Sequence, residues 1–173
     1  MLVKKVAIDG PESTGKSELA QHLALHFNAG YVDEAARNYL HELGRDYRQS
    51  DLLEIATLQC KAEDETSRHH DLLFCDTTLL VIKVWSEFKY GVCDEKILKE
   101  YHKRKYDLHI LTDIDLPWQS DPLREHPHQR RELFNIYHQE LKKSGAIYGI
   151  VSGLDEARAE SAILLCNQHL TLL

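Results

Sequence analysis

The sequence predicts an α/β fold, a parallel five-stranded sheet flanked by helices, from two features. Short apolar runs of strand length alternate along the chain with longer segments whose apolar residues recur at helical spacing. Such alternation implies right-handed crossovers between parallel strands, with helices on both faces of the sheet. The first apolar run also passes straight into a helix through a loop bracketed by two glycines. At 173 residues, 43% of them hydrophobic, the chain is about one domain long, and residues 1–173 are expected to form a single domain.

The elements follow in order. Val6, Ala7 and Ile8 read as a short buried strand, and Leu19, Leu23 and Phe27, four residues apart, mark one face of the first helix. "AGYVDE" reads as a second strand ending in acids, and "AARNYLHEL" as a helix stopped by Gly44. Ser50 and Asp51 are the expected caps of a long helix that buries Leu52, Ile55, Ala56 and Ala62. "DLLFCD" is the third strand and ends in Asp76, after which "TLLVIKVWSEFKY" reads as a helix up to Gly91. An amphipathic segment with Ile97, Leu98 and Tyr101 closes on the basic run His102 to Lys105, where cations complement a helix C-terminus. "DLHILTD" and "AIYGIVSG" supply the fourth and fifth strands, and Ala159, Ala162, Ile163, Cys166 and Leu170 trace a last helical stripe. Between those two strands, "DIDLPWQSDPLREHPHQRREL" carries Pro117, Pro122 and Pro127 and cannot be regular throughout. A long loop is expected there.

Composition narrows the function. Lys and Arg number 21 against 28 Asp and Glu, a net charge of −7, which argues against a duplex nucleic-acid partner because its phosphates demand a basic footprint. Cys60, Cys75, Cys93 and Cys166 form neither a CxxC pair nor a zinc spacing, as expected in a reducing compartment. "MLVKKVAIDG" runs directly into the first strand without a targeting signal, and no apolar run has the length of a membrane span. A cytoplasmic protein with no membrane partner is expected. His22 and His26 lack the Glu of H-E-x-x-H, so the histidines read as solvated or core residues.

The loop after the first strand is "GPESTGKS", Gly10 to Ser17. Strand, G-x-x-x-x-G-K-[ST] and helix in succession are what a phosphate-binding P-loop requires, so the fold narrows to a P-loop NTPase. Its inward amides, at Gly10, Glu12, Ser13, Thr14 and Gly15, are expected to hold the phosphates of ATP. Lys16 reaches the terminal phosphates, and Ser17 ligates Mg2+.

In a parallel sheet, ligands bind beyond the carboxyl ends of the strands. The residues at those ends are Asp9, Asp33 and Glu34, Asp76, the segment from Asp113, and Ser152 with Gly153. Asp76 is expected to orient an acceptor hydroxyl or to hold magnesium through water. Glu34 and Arg37 stand where a carboxylate can grip ribose hydroxyls. Otherwise they are a helix-start acid and a solvated arginine. The Pro-rich loop, with Arg124, Arg130 and Arg131, is suited to act as a lid that closes over phosphates. The N-K-x-D motif of a guanine-specific switch is absent, and the chain is short for a motor ATPase, which leaves a small-molecule kinase as the better fit.

These segments together resemble the ribosylnicotinamide kinase domain of the bacterial NadR family. The resemblance is carried by "GPESTGKS", "VDEAAR" at Val32 to Arg37, "CDTTLLVIKVWSE" at Cys75 to Glu87, "YDLHILTDIDLPWQSDPLR" at Tyr106 to Arg124 and "VSGLDEAR" at Val151 to Arg158. It spans nearly the whole chain. Pro122 departs from the family, in which glycine often follows the lid aspartate. The resemblance implies transfer of the ATP γ-phosphoryl group to the 5'-hydroxyl of nicotinamide riboside, with Arg124 and Arg130 descending on the transferring group. It also implies that the backbone at Gly153 passes the adenine. A cationic pyridinium acceptor would be met by Trp85 or Tyr90, which follow Asp76 on one helical stretch. The alternatives are another nucleoside or nucleotide kinase and a non-catalytic ATP-dependent switch.

Overall fold

The computed structural model describes residues 3–170, and the strands and helices counted below are those of the described residues. Five strands form one parallel sheet: β1 (Lys4–Asp9), β2 (Gly30–Val32), β3 (Leu72–Asp76), β4 (Leu108–Thr112) and β5 (Tyr148–Val151), in the order β2-β3-β1-β4-β5. Every residue of β3 and β4 is buried, because the central strands of a sheet covered on both faces have no wet side and so read as continuous apolar runs.

Seven helices enclose the sheet: α1 (Lys16–His26), α2 (Ala35–Leu43), α3 (Gln49–Thr66), α4 (Leu79–Tyr90), α5 (Glu95–Lys103), α6 (Arg130–Ser144) and α7 (Asp155–His169). On one face Leu19 and Leu23 of α1 and Ala162 and Cys166 of α7 pack onto Val6, Ile8, Phe74 and Ile110. On the other, Leu80 and Val84 of α4 meet Leu111 of β4 and Leu133, Phe134, Tyr137 and Leu141 of α6. A third cluster joins α3, α4 and α5 through Leu52, Ile55, Leu79, Ile82 and Ile97.

Two expectations change. Ser50 and Asp51 do not cap α3, which starts at Gln49 after Arg48. Asp51 stands in the first turn instead, where its Oδ2 accepts the Arg48 N–H at 2.7 Å and its carboxylate pairs with Arg45 at 2.8 Å. The long loop is also shorter than expected. Past Pro127, the last proline, nothing prevents a helix, and α6 begins at Arg130.

The strand order fixes the functional end. The crossover from β1 leads to β2 on one side, whereas that from β3 leads to β4 on the other, so the connections diverge between β1 and β3. A crevice opens where connections diverge, beyond the carboxyl ends. Asp9 and Asp76, the last residues of these two strands, lie at its base.

Candidate active site

The loop between β1 and α1 takes its shape from three left-handed or glycine-only conformations: Gly10 at φ 144°, Ser13 at 57° and Gly15 at 73°. A Cβ on Gly10 would collide with Thr112 at the end of β4, so only glycine lets the loop lie this close to the sheet. Thr14 Oγ1 fixes it further, hydrogen bonding to the Pro11 carbonyl at 2.8 Å and to Thr112 Oγ1 at 2.7 Å. Gly15 caps α1 without a side-chain bond, which leaves the amides of the first turn available to an anion. The Lys16 ammonium donates to the Pro11 carbonyl at 2.8 Å and so lies folded across the mouth of the loop.

Two carboxyl groups lie near this ammonium. Asp76 is fully buried, and burial raises its pKa above the ordinary value against the opposing pull of the Ser17 hydroxyl and Lys16. Burial also raises Glu34, again opposed first by Lys16, and the Glu34 side chain remains 24% exposed. Asp9 serves a different end: it accepts from Thr78 Oγ1 at 2.6 Å and meets His109 Nδ1 at 2.7 Å, both buried. It anchors the start of α4 and the middle of β4 rather than facing the crevice.

Residues 113–129 fold down as a lid. Glu12 of the loop receives the lid's backbone, accepting the Glu125 and His126 N–H groups at 3.0 Å each through Oε2. Ser13 Oγ accepts the Gln119 N–H at 2.8 Å. Arg37 reaches across from α2 to Asp121 at 3.1 Å and lies 3.8 Å from Glu34. Arg124 donates to the Gln119 carbonyl at 2.6 Å. Arg130 donates to the Ser13 and Leu116 carbonyls, both at 3.0 Å, and thereby binds loop and lid to each other.

A cavity of about 680 Å3 joins these parts. Gly10, Glu12, Ser13, Thr14, Gly15, Lys16 and Ser17 form one end, with Glu34, Arg37 and Arg124 along its sides. Trp85 stands at the far end with Leu40, Val81, Phe88 and Tyr137. Four expected residues lie outside it. Asp76 sits beneath the floor beside Ser17, and Arg130 is engaged with backbone carbonyls. Tyr90 packs into the α3–α4 cluster, with its hydroxyl 3.5 Å from the Tyr47 carbonyl. Gly153 donates its N–H to Asp115 at 2.5 Å, and a smaller cavity of about 270 Å3 opens nearby between Gly15, Leu116, Asp155 and Arg158.

The rest of the apolar wall beyond Trp85, and Arg158, were not expected from the sequence. Leu133 and Tyr137 could have been found, since they belong to a four-residue repeat hidden behind the prolines. Arg158 is almost fully buried and donates to the carbonyls of Thr14, Asp113 and Gly153 and to Asp115, so it ties the loop, the lid's root and the β5–α7 turn together. Only its place in "VSGLDEAR" pointed to it. Among the described residues no group of three or more His, Cys, Asp or Glu side chains is placed to hold a metal ion, and no helix is long and apolar enough to cross a membrane.

The model of a family described as AAA domain (AAA_28) matches residues 5–158, most of the chain and all of the loop, lid and crevice described above. The chain belongs to this family. This AAA-domain protein is similar to the trifunctional NAD biosynthesis/regulator protein NadR of Escherichia coli (strain K12), 29% identical over 95% of this chain and 41% of the relative. The NadR of Salmonella typhimurium (strain LT2) is 32% identical over 70% of this chain and 31% of its own length. The chain thus spans less than half the length of the curated relatives it matches. Among solved structures, NadR protein in complex with NR superimposes with a TM-score of 0.85 at 21% identity, over 99% of this chain and 52% of that one. Thymidylate kinase from Ehrlichia chaffeensis gives 0.69 at 13% identity, over 95% of this chain and 100% of that one. The fold of this AAA-domain protein is that of the P-loop kinases.

Proposed function

We propose that the protein transfers the γ-phosphoryl group of ATP to the 5'-hydroxyl of nicotinamide riboside, forming nicotinamide mononucleotide in the cytoplasm. The observation that carries this reading is the continuity of one cavity, from the phosphate loop at one end to the aromatic wall with Trp85 at the other. The similarity to NadR proteins, one of them solved with NR, supports the choice of acceptor.

In this reading the amides from Gly10 to Gly15 hold the phosphates. Lys16 exchanges the Pro11 carbonyl for the terminal phosphate oxygens, where its charge offsets that of the transferring group. The adenine lies by the smaller cavity at Asp155, two residues beyond Gly153. The Ser17 hydroxyl and the Asp76 carboxylate beside it are hard oxygen donors of the kind Mg2+ takes, Asp76 directly or through water. When bound there, the ion neutralises charge on the phosphate oxygens. Glu34, partly exposed in the cavity and with a raised pKa, accepts a hydrogen bond from the acceptor ribose, and Arg37 holds it in place. Removal of the acceptor proton falls to Asp76 or Glu34, the two carboxyl groups beside Lys16, each made more basic by burial. Arg124 swings from the Gln119 carbonyl to the transferring group, and the lid excludes water from it.

A coupled assay of ADP release tests this function against a panel of nucleosides. Release that depends on nicotinamide riboside, with little for uridine, thymidine or deoxyadenosine, is the expected result. A preference for one of the others would make the chain a different nucleoside kinase. Nucleotide binding without turnover on any of them would favour a regulatory switch.

A further inference from the structure

Tyr47 lies in the turn between α2 and α3, does not line the cavity, and has no part in the chemistry above. Its hydroxyl nevertheless uses its whole hydrogen-bonding capacity. It accepts the Trp85 indole N–H at 2.8 Å and the Lys89 ammonium at 2.6 Å, and it donates to the Glu125 carboxylate. Its ring lies edge-on to Trp85, with centroids 4.9 Å apart, and under Lys89, whose Nζ is 3.8 Å from the ring centre. Lys89 closes the circuit by pairing with Glu125 at 2.8 Å.

The partners come from different parts of the machinery. Trp85 is cavity wall. Glu125 belongs to the lid, directly follows Arg124, and has its backbone N–H held by Glu12 of the phosphate loop. An unbroken chain of contacts thus runs from the phosphate loop through the lid and Tyr47 to the ring that faces the acceptor. A tyrosine kept only for packing would not need to saturate its hydroxyl with one partner from the lid and two from α4.

We propose that Tyr47 is a positioning residue that couples the aromatic acceptor wall to the lid, so that lid closure over the triphosphate and seating of the acceptor ring favour each other. The proposal rests on the functional reading above, in which Trp85 meets the acceptor. Coupling through a contact chain is demonstrated only by a double-mutant cycle.

The cycle can be read without any ligand. The chain has two tryptophans, so Trp118→Phe leaves Trp85 as the only one and its fluorescence as the signal. In that background Glu125→Ala, which removes no hydrogen-bond partner of Trp85, is expected to shift the emission maximum. With Tyr47→Phe added, the same Glu125→Ala change is expected to leave the emission unmoved. Glu125→Gln keeps an oxygen for the Tyr47 hydroxyl and is expected to restore most of the parent spectrum. In the otherwise wild-type chain, Tyr47→Phe keeps the ring and its packing. Loss of a hydrogen bond that orients Trp85 is expected to raise the KM for nicotinamide riboside at saturating ATP about threefold to tenfold and, because coupling is reciprocal, to raise the KM for ATP at saturating riboside in the same direction, while the Kd of ATP without riboside stays close to that of the parent and the melting temperature falls by only a few degrees.

An equal emission shift with and without the Tyr47 hydroxyl would overturn the proposal, as would no shift in either background or an unchanged acceptor KM. If the parent enzyme does not turn over nicotinamide riboside, the functional reading fails, and the fluorescence cycle still decides the coupling.

Discussion

Glu12 offers a direct measure of how firmly the lid is held. Its carboxylate accepts two lid N–H groups, those of Glu125 and His126, at 3.0 Å each, and Glu12→Ala removes both bonds while leaving the backbone of the phosphate loop in place. A hydrogen bond to a charged group contributes about 1.5 to 3 kcal/mol when well sheltered, but the Glu125 N–H is exposed and its share is smaller. Together the two bonds are worth about 1.5 to 3 kcal/mol, which lowers the closed-to-open ratio of the lid roughly tenfold to a hundredfold. The lid retains Ser13, Arg130 and Arg37 as anchors, so the lower figure is the expected one. The assay pairs steady-state phosphoryl transfer with limited proteolysis of residues 113–129. Glu12→Ala should lower kcat/KM about tenfold and speed cleavage within the lid, with the melting temperature of the domain preserved. Unchanged turnover together with unchanged cleavage would refute the clamp.

Asp76→Asn should abolish most activity and stabilise the fold at neutral pH. The Asp76 pKa is raised mainly by burial, so its proton-linked stability is fully present below the unfolded pKa and is lost as pH rises through the folded one. The melting-temperature advantage of the Asn variant should therefore grow with pH over that interval, and an advantage independent of pH would contradict the assignment. Arg124→Ala should lower kcat by tenfold or more with ATP affinity nearly intact, whereas Arg130→Ala, which loses bonds to the Ser13 and Leu116 carbonyls, should weaken ATP binding. Isothermal titration beside turnover separates the two arginines, and identical behaviour would show that the distinction is wrong. Trp85→Leu should raise the KM for nicotinamide riboside by about twofold to thirtyfold, the range of a cation over an aromatic face, and leave that for uridine little changed. Equal effects on both nucleosides would remove cation stacking from the account.

The sheet and the phosphate loop were legible in the sequence because each is specified locally. Strands buried on both faces need unbroken apolar runs, and the loop's glycines are demanded by backbone conformations that only they adopt without strain. Helix α6 was harder to read because three prolines and several arginines precede it, and a reading by composition extended the loop to Leu133, past the helix start. The start of α3 was misplaced because Ser50 has the right chemistry for a cap, yet Asp51 one residue later makes the first-turn bond back to Arg48. At the site, the positions of Lys16, Ser17 and Glu34 followed from the loop pattern and the strand ends, whereas Trp85 was singled out with Tyr90 only through the cationic acceptor that the family resemblance implies, and of these two only Trp85 lines the cavity. The engagement of Arg130 with two carbonyls did not, nor did the burial of Arg158 or the meeting of Tyr47 with Glu125, 78 residues apart. Contacts of that kind depend on tertiary approach and leave no periodic mark on the chain.

The most direct test of the central claim is a competition. Limiting ATP and Mg2+ are supplied with equimolar nicotinamide riboside and uridine, and the phosphorylated products are identified by mass spectrometry. Nicotinamide mononucleotide is the expected main product, with the label from γ-18O-ATP on its 5'-phosphate and no product from the Lys16→Ala variant. Equal labelling of uridine, or ADP formed with the label only in inorganic phosphate, would contradict the claim.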